Sequence, residues 1–194
     1  MNKPILAAAT LLLAAGAAFA QTTAGTVQRD VNQQQRIEDG LKNGQLSTGE
    51  AAKLEKEESR VDRLQGQALK DGKMTPAEQR RLRAAQDKTS RDINAARHNG
   101  VTGNPQSASS ERMQADVQRN VNQEKRVEAG VQGGSLTNRE VGKLEQGQAR
   151  VDRKEAAAGR DGHVGAGEQA AVQKSENRQS RRIRHEKHDA QARN

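Results

Sequence analysis

Oxygen-bearing side chains lie at short intervals around a Gly-x-Leu-Ser-x-x-Glu segment in the first quarter of the chain. Asp39 and Asn43 are four residues apart, and Glu50 follows seven residues after Asn43. Carboxylate and amide oxygens are the ligands that Ca²⁺ prefers, and a glycine such as Gly44 permits the sharp turn that a calcium loop needs. This segment is therefore the first candidate for chemistry in the sequence.

Set on the twelve-residue EF-hand loop, Asp39 stands at position 1, Gly44 at position 6 and Glu50 at position 12. This order is similar to that of EF-hand and dockerin loops. Position 3, an oxygen ligand in that family, is Leu41, and the equivalent loop in the second half of the chain lacks nearly every donor. Related loops add the weaker candidates Asp71, Glu78, Asp161 and Glu168. We assign no metal ligand among these residues, and Ca²⁺ stays the one cofactor that they suggest.

The same loops have a second interpretation as the ends and starts of helices. A glycine in the left-handed conformation ends one helix, and Ser or Thr followed three residues later by Glu caps the next. This pattern persists in the second half of the chain, where the oxygen ligands are lost. It predicts that the following residues are structural caps: Gly44, Ser47, Glu50, Gly72, Thr75, Glu78, Gly134, Thr137, Glu140 and Gly162.

Two further candidates lie near the C-terminus. His185 and His188 are three residues apart on a predicted helix, which is not the spacing of a zinc-protease motif, and we expect solvated imidazoles. Residues 174–194 are the most basic stretch and suit a phosphate-rich surface. No aromatic residues are interleaved there for base stacking, so nucleic acid is not the expected partner.

Composition argues against catalysis. The chain carries a formal net charge of +8, has no Cys and is 1% aromatic. It contains neither a G-x-S-x-G motif nor a phosphate-binding loop, and so few large apolar residues cannot enclose a dry pocket. We expect a non-enzymatic protein with a thin core and marginal stability.

Residues 1–20 have the pattern of a cleavable signal peptide. Lys3 precedes an apolar run over 5–18, and Ala18-Phe19-Ala20 forms an A-x-A cleavage site. The run is too short to span a membrane, so we predict cleavage after Ala20 and no transmembrane segment in the mature chain. The mature protein is expected to be periplasmic or secreted.

An internal duplication organises the rest of the sequence. Residues 27–99 align with 117–189 at a constant offset of 90 without a gap. Apolar residues recur at helical spacing and nowhere alternate as in strands. We therefore predict an all-α fold of two homologous three-helix repeats, at 21–98 and 112–194, with partly disordered ends. A Gly- and Ser-rich flexible linker is expected at 99–111.

The duplicated turns and the terminal S-R-x-I segment resemble a group of small exported proteobacterial helical-repeat proteins. This likeness implies the fold and the export, but no activity. In its low aromatic and high hydrophilic content the chain is also similar to hydrophilins, which protect against desiccation.

Together these features predict a basic, exported, non-enzymatic helical-repeat protein with a structural, binding or protective role. An anionic envelope surface or another periplasmic protein would suit its charge, although no residue pattern names the partner. The alternatives are an EF-hand-like binder of divalent metals, Ca²⁺ above all, and a hydrophilin-like stress protectant.

Overall fold

A computed structural model of the protein describes residues 11–189, with side chains from residue 22 onward. Over this range the chain is all-helical, as predicted. The helices are α1 (Leu11–Lys42), α2 (Thr48–Ala68), α3 (Pro76–Arg97), α4 (Ala108–Gln132), α5 (Asn138–Ala158) and α6 (Ala166–Lys187). Of the predicted signal peptide, residues 1–10 lie outside this range, and 11–20 are described only as helix backbone. No described helix is long and apolar enough to cross a membrane.

Reciprocal capping boxes start three of the six helices. At α2 the Glu50 N–H donates to the Ser47 hydroxyl, while Oε2 of Glu50 accepts from the Ser47 N–H at 3.0 Å. The same box starts α3 and α5, with Thr75 and Glu78 and with Thr137 and Glu140. The predicted helix-ending glycines all have positive φ, namely Gly44, Gly72, Gly134 and Gly162. The structure thus confirms the predicted caps.

The helices of the two sequence copies are interleaved. The most extensive contacts join α2 to α5 and α1 to α4, and both pairs run between the copies. Helix α3 packs on α1 and α2, and α6 packs on α4 and α5. The expected division into separate units at 21–98 and 112–194 is therefore corrected, because α1, α2, α4 and α5 form one bundle.

The predicted linker at 99–111 is a packed connection. Helix α4 begins at Ala108, within that range. The Gly103 N–H donates to the Gly44 carbonyl at 2.9 Å, and a Cβ on Gly103 would lie 2.2 Å from the Leu46 carbonyl oxygen. The Gly-rich composition that suggested flexibility instead permits a close backbone approach to the first turn.

Two apolar clusters, each built from both copies, hold the bundle together. The first contains Val27, Val61, Ala68, Leu69, Met74, Leu82, Val127, Val131, Leu136, Val141, Leu144 and Ile183. The second contains Ile37, Leu41, Leu46, Ala51, Ala52, Leu54, Ile93, Met113, Val117, Ala158, Val164 and Val172. Neither copy has enough large aliphatic residues for a core of its own. The two copies together supply enough of them to form two shared clusters, which explains how a chain with few apolar residues can pack.

Equivalent positions of the two copies meet where α2 crosses α5. The Ser59 hydroxyl donates to the carbonyl of Ala149 at 2.9 Å, and these residues are 90 positions apart. Further along, a Cβ on Gly66 would lie 2.8 Å from the Gly142 carbonyl oxygen and 2.6 Å from Cγ of Gln146. The two helices are therefore antiparallel and in close backbone contact, with an approximate twofold axis between the copies.

Replacing the glycine at this crossing is expected to destabilise the bundle. The Gly66→Ala change inserts a methyl group against backbone, which should lower the free energy of unfolding by about 1–3 kcal/mol. The matched control is Gly25→Ala in α1, where a Cβ meets nothing within 4 Å. This control should be neutral or stabilising, because alanine favours helix. Urea unfolding compares the two, and equal stability for both variants would contradict the close crossing.

Candidate metal centre

Eleven described carboxyl groups are at most 3% exposed, namely Asp116, Glu140, Glu176 and a group of eight in the interior of the bundle. The eight come from α1, α2, α4 and α5, and they are Asp30, Glu55, Glu58, Asp62, Glu124, Glu145, Asp152 and Glu155. Acidic side chains are almost never fully buried unless they are paired with a cation. None of these eight takes part in an ion pair with a described residue. Their burial therefore calls for another source of positive charge.

Hydrogen bonds satisfy these carboxyls only in part. Buried amides donate some bonds, such as Gln86 Nε2 to Asp30 Oδ1 at 2.7 Å and Asn120 Nδ2 to Glu155 Oε2 at 2.6 Å. Each of the eight carboxyls nevertheless has at least one buried oxygen without a donor among the described residues. In Glu58 both oxygens are unpartnered. An unmet buried acceptor costs about 1–3 kcal/mol, and more when it is charged.

Burial raises the pKa of all eight groups. The pKa rises to about 7 for Asp30 and Asp152 and to about 8 for Glu55. For Glu58 it rises well above the usual value, first through desolvation and then through the neighbouring carboxyls of Asp30 and Glu55. In the apolar interior these groups are therefore neutralised near neutral pH, by protons or by a bound cation.

Three of the carboxyls converge in what we call site 1. One oxygen each from Asp30 on α1, Asp62 on α2 and Glu145 on α5 lie within 4.8 Å of one another. Oxygens that share one Ca²⁺ at about 2.3–2.6 Å lie at most about 5 Å apart. The carboxamide of Gln65 is also near, since it lowers the pKa of Glu145. One calcium-sized ion could contact all three carboxyls.

Another three carboxyls form site 2, which adjoins site 1 through a hydrogen bond between Asp152 and Asp62. Oxygens of Glu55 on α2 and of Asp152 and Glu155 on α5 again lie within 4.8 Å of one another. Asn120 on α4 holds this group together, with Nδ2 3.4 Å from Asp152 Oδ1 and 2.6 Å from Glu155 Oε2. Each site thus combines three carboxyls with carboxamides, and each takes ligands from both copies.

The sequence duplication relates the two sites. At an offset of 90, Asp62 corresponds to Asp152, and Glu55 corresponds to Glu145. The third carboxyl comes from a different position in each site: Asp30 is replaced by Asn120 in the second copy, whereas Gln65 is replaced by Glu155. The loss of one carboxyl is therefore matched by the gain of another. Both sites therefore keep three carboxyls, which favours a role that depends on the negative charge of these groups.

The two sites differ at two pairs of equivalent positions around them. Next to site 1, the charge of Asp30 raises the pKa of Glu58, and the charge of Glu124 raises the pKa of Glu145. The counterparts in site 2 are the amides Gln148 and Gln34, which donate to Asp152 and Glu55 at 3.2 and 3.1 Å. Site 2 has acidic neighbours of its own, because Asp116 raises the pKa of Glu55, and Glu176 raises that of Glu155.

The ligand set determines which ions fit. Both sites offer only carboxylate and carboxamide oxygens, without His or Cys. Oxygen ligands select hard cations such as Ca²⁺, Mg²⁺ or Mn²⁺, whereas Zn²⁺ and Cu²⁺ favour nitrogen and sulfur. The geometry and chemistry of the two sites therefore suit a hard cation of about the size of Ca²⁺.

The structure does not bring the loop residues of the EF-hand-like pattern together. Asp39 is exposed on α1, and both oxygens of Glu50 accept hydrogen bonds, one from Ser47 and the other from Asn99 at 2.6 Å. In the described part of the chain, the carboxyl clusters contain none of the weak metal candidates Asp39, Asn43, Glu50, Asp71, Glu78, Asp161 and Glu168. Asp71 and Asp161 each accept a backbone N–H two residues on, at 3.0 Å.

The remaining candidates lie at the end of α6. His185 and His188 are exposed there, and His188 is the C-cap of the helix. Oxygens of Glu140, Glu186 and Asp189 also lie close together. Glu140 already caps α5, and Glu186 is 3.9 Å from the ammonium group of Lys143, so these groups have structural partners.

Sequence reasoning did not single out the interior carboxyls. Glu55, Glu58, Asp62 and Gln65 recur at helical spacing on α2, beside the apolar residues that the pattern assigned to the core. Acidic residues on such a face are usually taken as its solvated edge. The detectable signal was that Glu55 and Asp62 are retained as Glu145 and Asp152 in the copy. In contrast, Asp39 and Asn43 of the first loop are replaced by Ala129 and Gly133.

No protein-family model, curated protein or solved structure matches this chain. Its function is therefore inferred from the residues themselves.

Proposed function

We propose that this protein binds hard metal cations of about the size of Ca²⁺ inside its helical bundle, at sites 1 and 2. The supporting observation is that three fully buried carboxyls converge in each site, with oxygens that no described donor reaches. A cation would supply the missing charge and would satisfy several of these oxygens at once. Its binding would also offset part of the cost of desolvating the ionised carboxyls.

Cations and protons compete for these sites. Below the raised pKa values, protons neutralise the carboxyls, and carboxyl pairs such as Asp62 and Asp152 share a hydrogen bond. As the pH rises, a metal ion takes over that role, because metal binding requires deprotonated ligands. The protein is thus a cation binder that requires neutral or higher pH and releases protons as it binds.

The enclosed position of the sites supports binding rather than catalysis. Their carboxyls are at most 3% exposed, so no substrate can reach a bound ion without opening the bundle. Together with the pattern of a signal peptide at residues 1–20, this favours an exported, non-enzymatic protein in which cations stabilise the fold. The ions would exchange slowly, because exchange requires the helices to separate.

Binding to the chelator-treated protein is expected at two ions per chain. Equilibrium dialysis at about pH 8 measures Ca²⁺ directly, and Tb³⁺ luminescence serves as a second probe. The matched control is Asp39→Asn, which removes position 1 of the EF-hand-like loop on the surface. This variant should keep both ions, whereas Asp62→Asn should lose at least one.

Two outcomes would overturn the assignment. If neither Ca²⁺ nor Tb³⁺ binds at that pH, the interior carboxyls are neutralised by protons alone. If Asp39→Asn abolishes binding while Asp62→Asn retains it, the surface loops hold the ions, as the EF-hand-like alternative requires. Circular dichroism of each variant checks that it is folded.

A further inference from the structure

A surface groove between α5 and α6 is lined by cations from both helices. Its volume is about 440 Å³, and five basic side chains surround it: Arg150, Arg153, Lys154, Arg178 and Arg182. No acidic residue lines it. This basic groove lies outside the bundle interior and shares no residue with sites 1 and 2.

The charges of the basic groove are not neutralised by the protein. None of the five side chains forms an ion pair with a described residue. Arg153 donates from Nε to the Ala149 carbonyl at 3.1 Å, which leaves the rest of its guanidinium free to bind other groups. Partial burial, followed by the charges of Arg182 and Arg153, lowers the pKa of Arg150, so these cations face one another.

On the equivalent surface of the first copy, part of the positive charge is neutralised. At the equivalent position on α3, Lys88 forms ion pairs with Glu57 on α2, at 3.3 Å, and with Asp92 on its own helix. In the second copy both acids are gone, because Glu57 corresponds to Gly147 and Asp92 to Arg182. An additional cation, Lys154, replaces Leu64. One surface therefore has salt bridges, whereas its counterpart is an uncompensated cluster of positive charge.

Phosphate groups are the anions that this arrangement suits. Arginine presents a planar fork of donors that binds phosphate oxygens in pairs, and four of the five cations are arginines. Two phosphate groups would balance most of the charge, since each carries about −1.5 to −2 near neutral pH. The volume also lies within the range of small-molecule sites, which is about 300–1,000 Å³.

We propose that the basic groove binds a small anion carrying at least two phosphate groups. Arg150 and Arg182 would contact it from opposite walls, with Arg178 and Lys154 completing the set. The anion is either a free polyphosphate or the diphosphorylated headgroup of a glycolipid, because both present the same chemistry to the arginines. This proposal is independent of cation binding in the interior.

Titration calorimetry with inorganic triphosphate tests the proposal on the full chain. The buffer should be free of divalent metal, at about pH 6.5, because triphosphate itself chelates Ca²⁺. The test variant is Arg182→Asp, which restores the residue of the first copy and is therefore compatible with the fold. The matched control is Arg181→Asp, with the same change in net charge on the adjacent residue, which does not line the groove.

We expect triphosphate to bind one per chain, with affinity about tenfold or more lower in Arg182→Asp and nearly unchanged in Arg181→Asp. Competition by vesicles with and without a diphosphorylated glycolipid then distinguishes the two sources of phosphate. Absence of binding by both triphosphate and those vesicles would overturn the proposal. So would an equal loss in the two variants, since that indicates general attraction by net charge. Neither result bears on Ca²⁺ binding, which is measured separately.

Discussion

The metal-free protein is expected to lose stability as the pH rises from about 5 to about 9. The pKa of each interior carboxyl is higher in the folded protein than in the unfolded chain, reaching about 7 for Asp30 and Asp152 and about 8 for Glu55. Between the unfolded and the folded values, the native state holds protons that the unfolded state has released. Stability from these groups is therefore complete below about pH 4 and is lost through about pH 7–8.

The size of this effect follows from the number of groups. Each carboxyl that stays protonated only in the folded state lowers stability by about 1.4 kcal/mol per pH unit. Several such groups acting together would remove the ~5–15 kcal/mol that stabilises a typical domain. This pH dependence is opposite to that of a protein whose carboxylates are paired with cations and whose stability falls in acid.

A bound cation should reverse the loss. Thermal unfolding followed by far-UV circular dichroism, at about pH 5, 7 and 9, should show the melting temperature falling with pH in chelator. In millimolar Ca²⁺ the melting temperature at pH 9 should recover, whereas Ca²⁺ should change little at pH 5. A melting temperature in chelator that is flat or rises from pH 5 to 9 would show that the buried carboxyls do not titrate as their burial requires.

Neutralising one equivalent glutamate in each site is expected to stabilise the metal-free protein and to remove its ions. Glu55 and Glu145 are both fully buried, and they correspond across the duplication. Glutamine has nearly the same shape, so Glu145→Gln removes a charge from site 1 without opening a cavity. Each single variant should bind one ion fewer, and the double variant should bind none or bind far more weakly.

In chelator, by contrast, the free energy of unfolding of each variant should rise. At about pH 8 an interior with fewer ionisable carboxyls is less costly, so each variant should gain stability, because a neutral amide costs less to bury than a charged carboxylate. The affinity for Ca²⁺ should fall in each variant at the same time. Urea unfolding at pH 8 with and without Ca²⁺ measures both quantities. The surface variant Glu168→Gln is the charge-matched control and should retain both ions.

The opposite result would point to a structural role. If Glu55→Gln and Glu145→Gln both lower stability in chelator and leave Ca²⁺ binding unchanged, their carboxyls act as hydrogen-bonding groups of the core. A loss of ions in the control as well would place binding on the surface.

Local features of this fold were predictable from residue types over short distances. The caps at Ser47 and Thr75, and the glycine at position 44 with positive φ, depend on hydrogen bonds between neighbours in sequence. The helical periodicity of the apolar residues likewise needs no knowledge of distant segments. The loop around Asp39 has two interpretations, an EF-hand-like loop and a pair of helix caps. Both depend on residues close in sequence, so comparing the two copies was enough to favour the caps.

The position of the acids was not predictable in this way. A glutamate beside an apolar stripe, such as Glu55 next to Leu54, lies at the boundary of the helix face, and its burial depends on what packs over it. Here the covering helix is α5 of the other copy, whose backbone approaches that of α2 closely where Gly142 meets Gly66. Similarly, Gly103 suggests a flexible linker by its type, yet it packs against Leu46.

The sequence by itself determined the helices, their caps and the duplication, because these follow from interactions within a few residues along the chain. Only the tertiary structure decided that the two copies interleave and that their carboxyls meet in sites 1 and 2. The reason is physical: each copy is too poor in aliphatic residues to form its own core, so the helices pack across the copies. That packing brings Asp62 from one copy and Glu145 from the other into the same buried site.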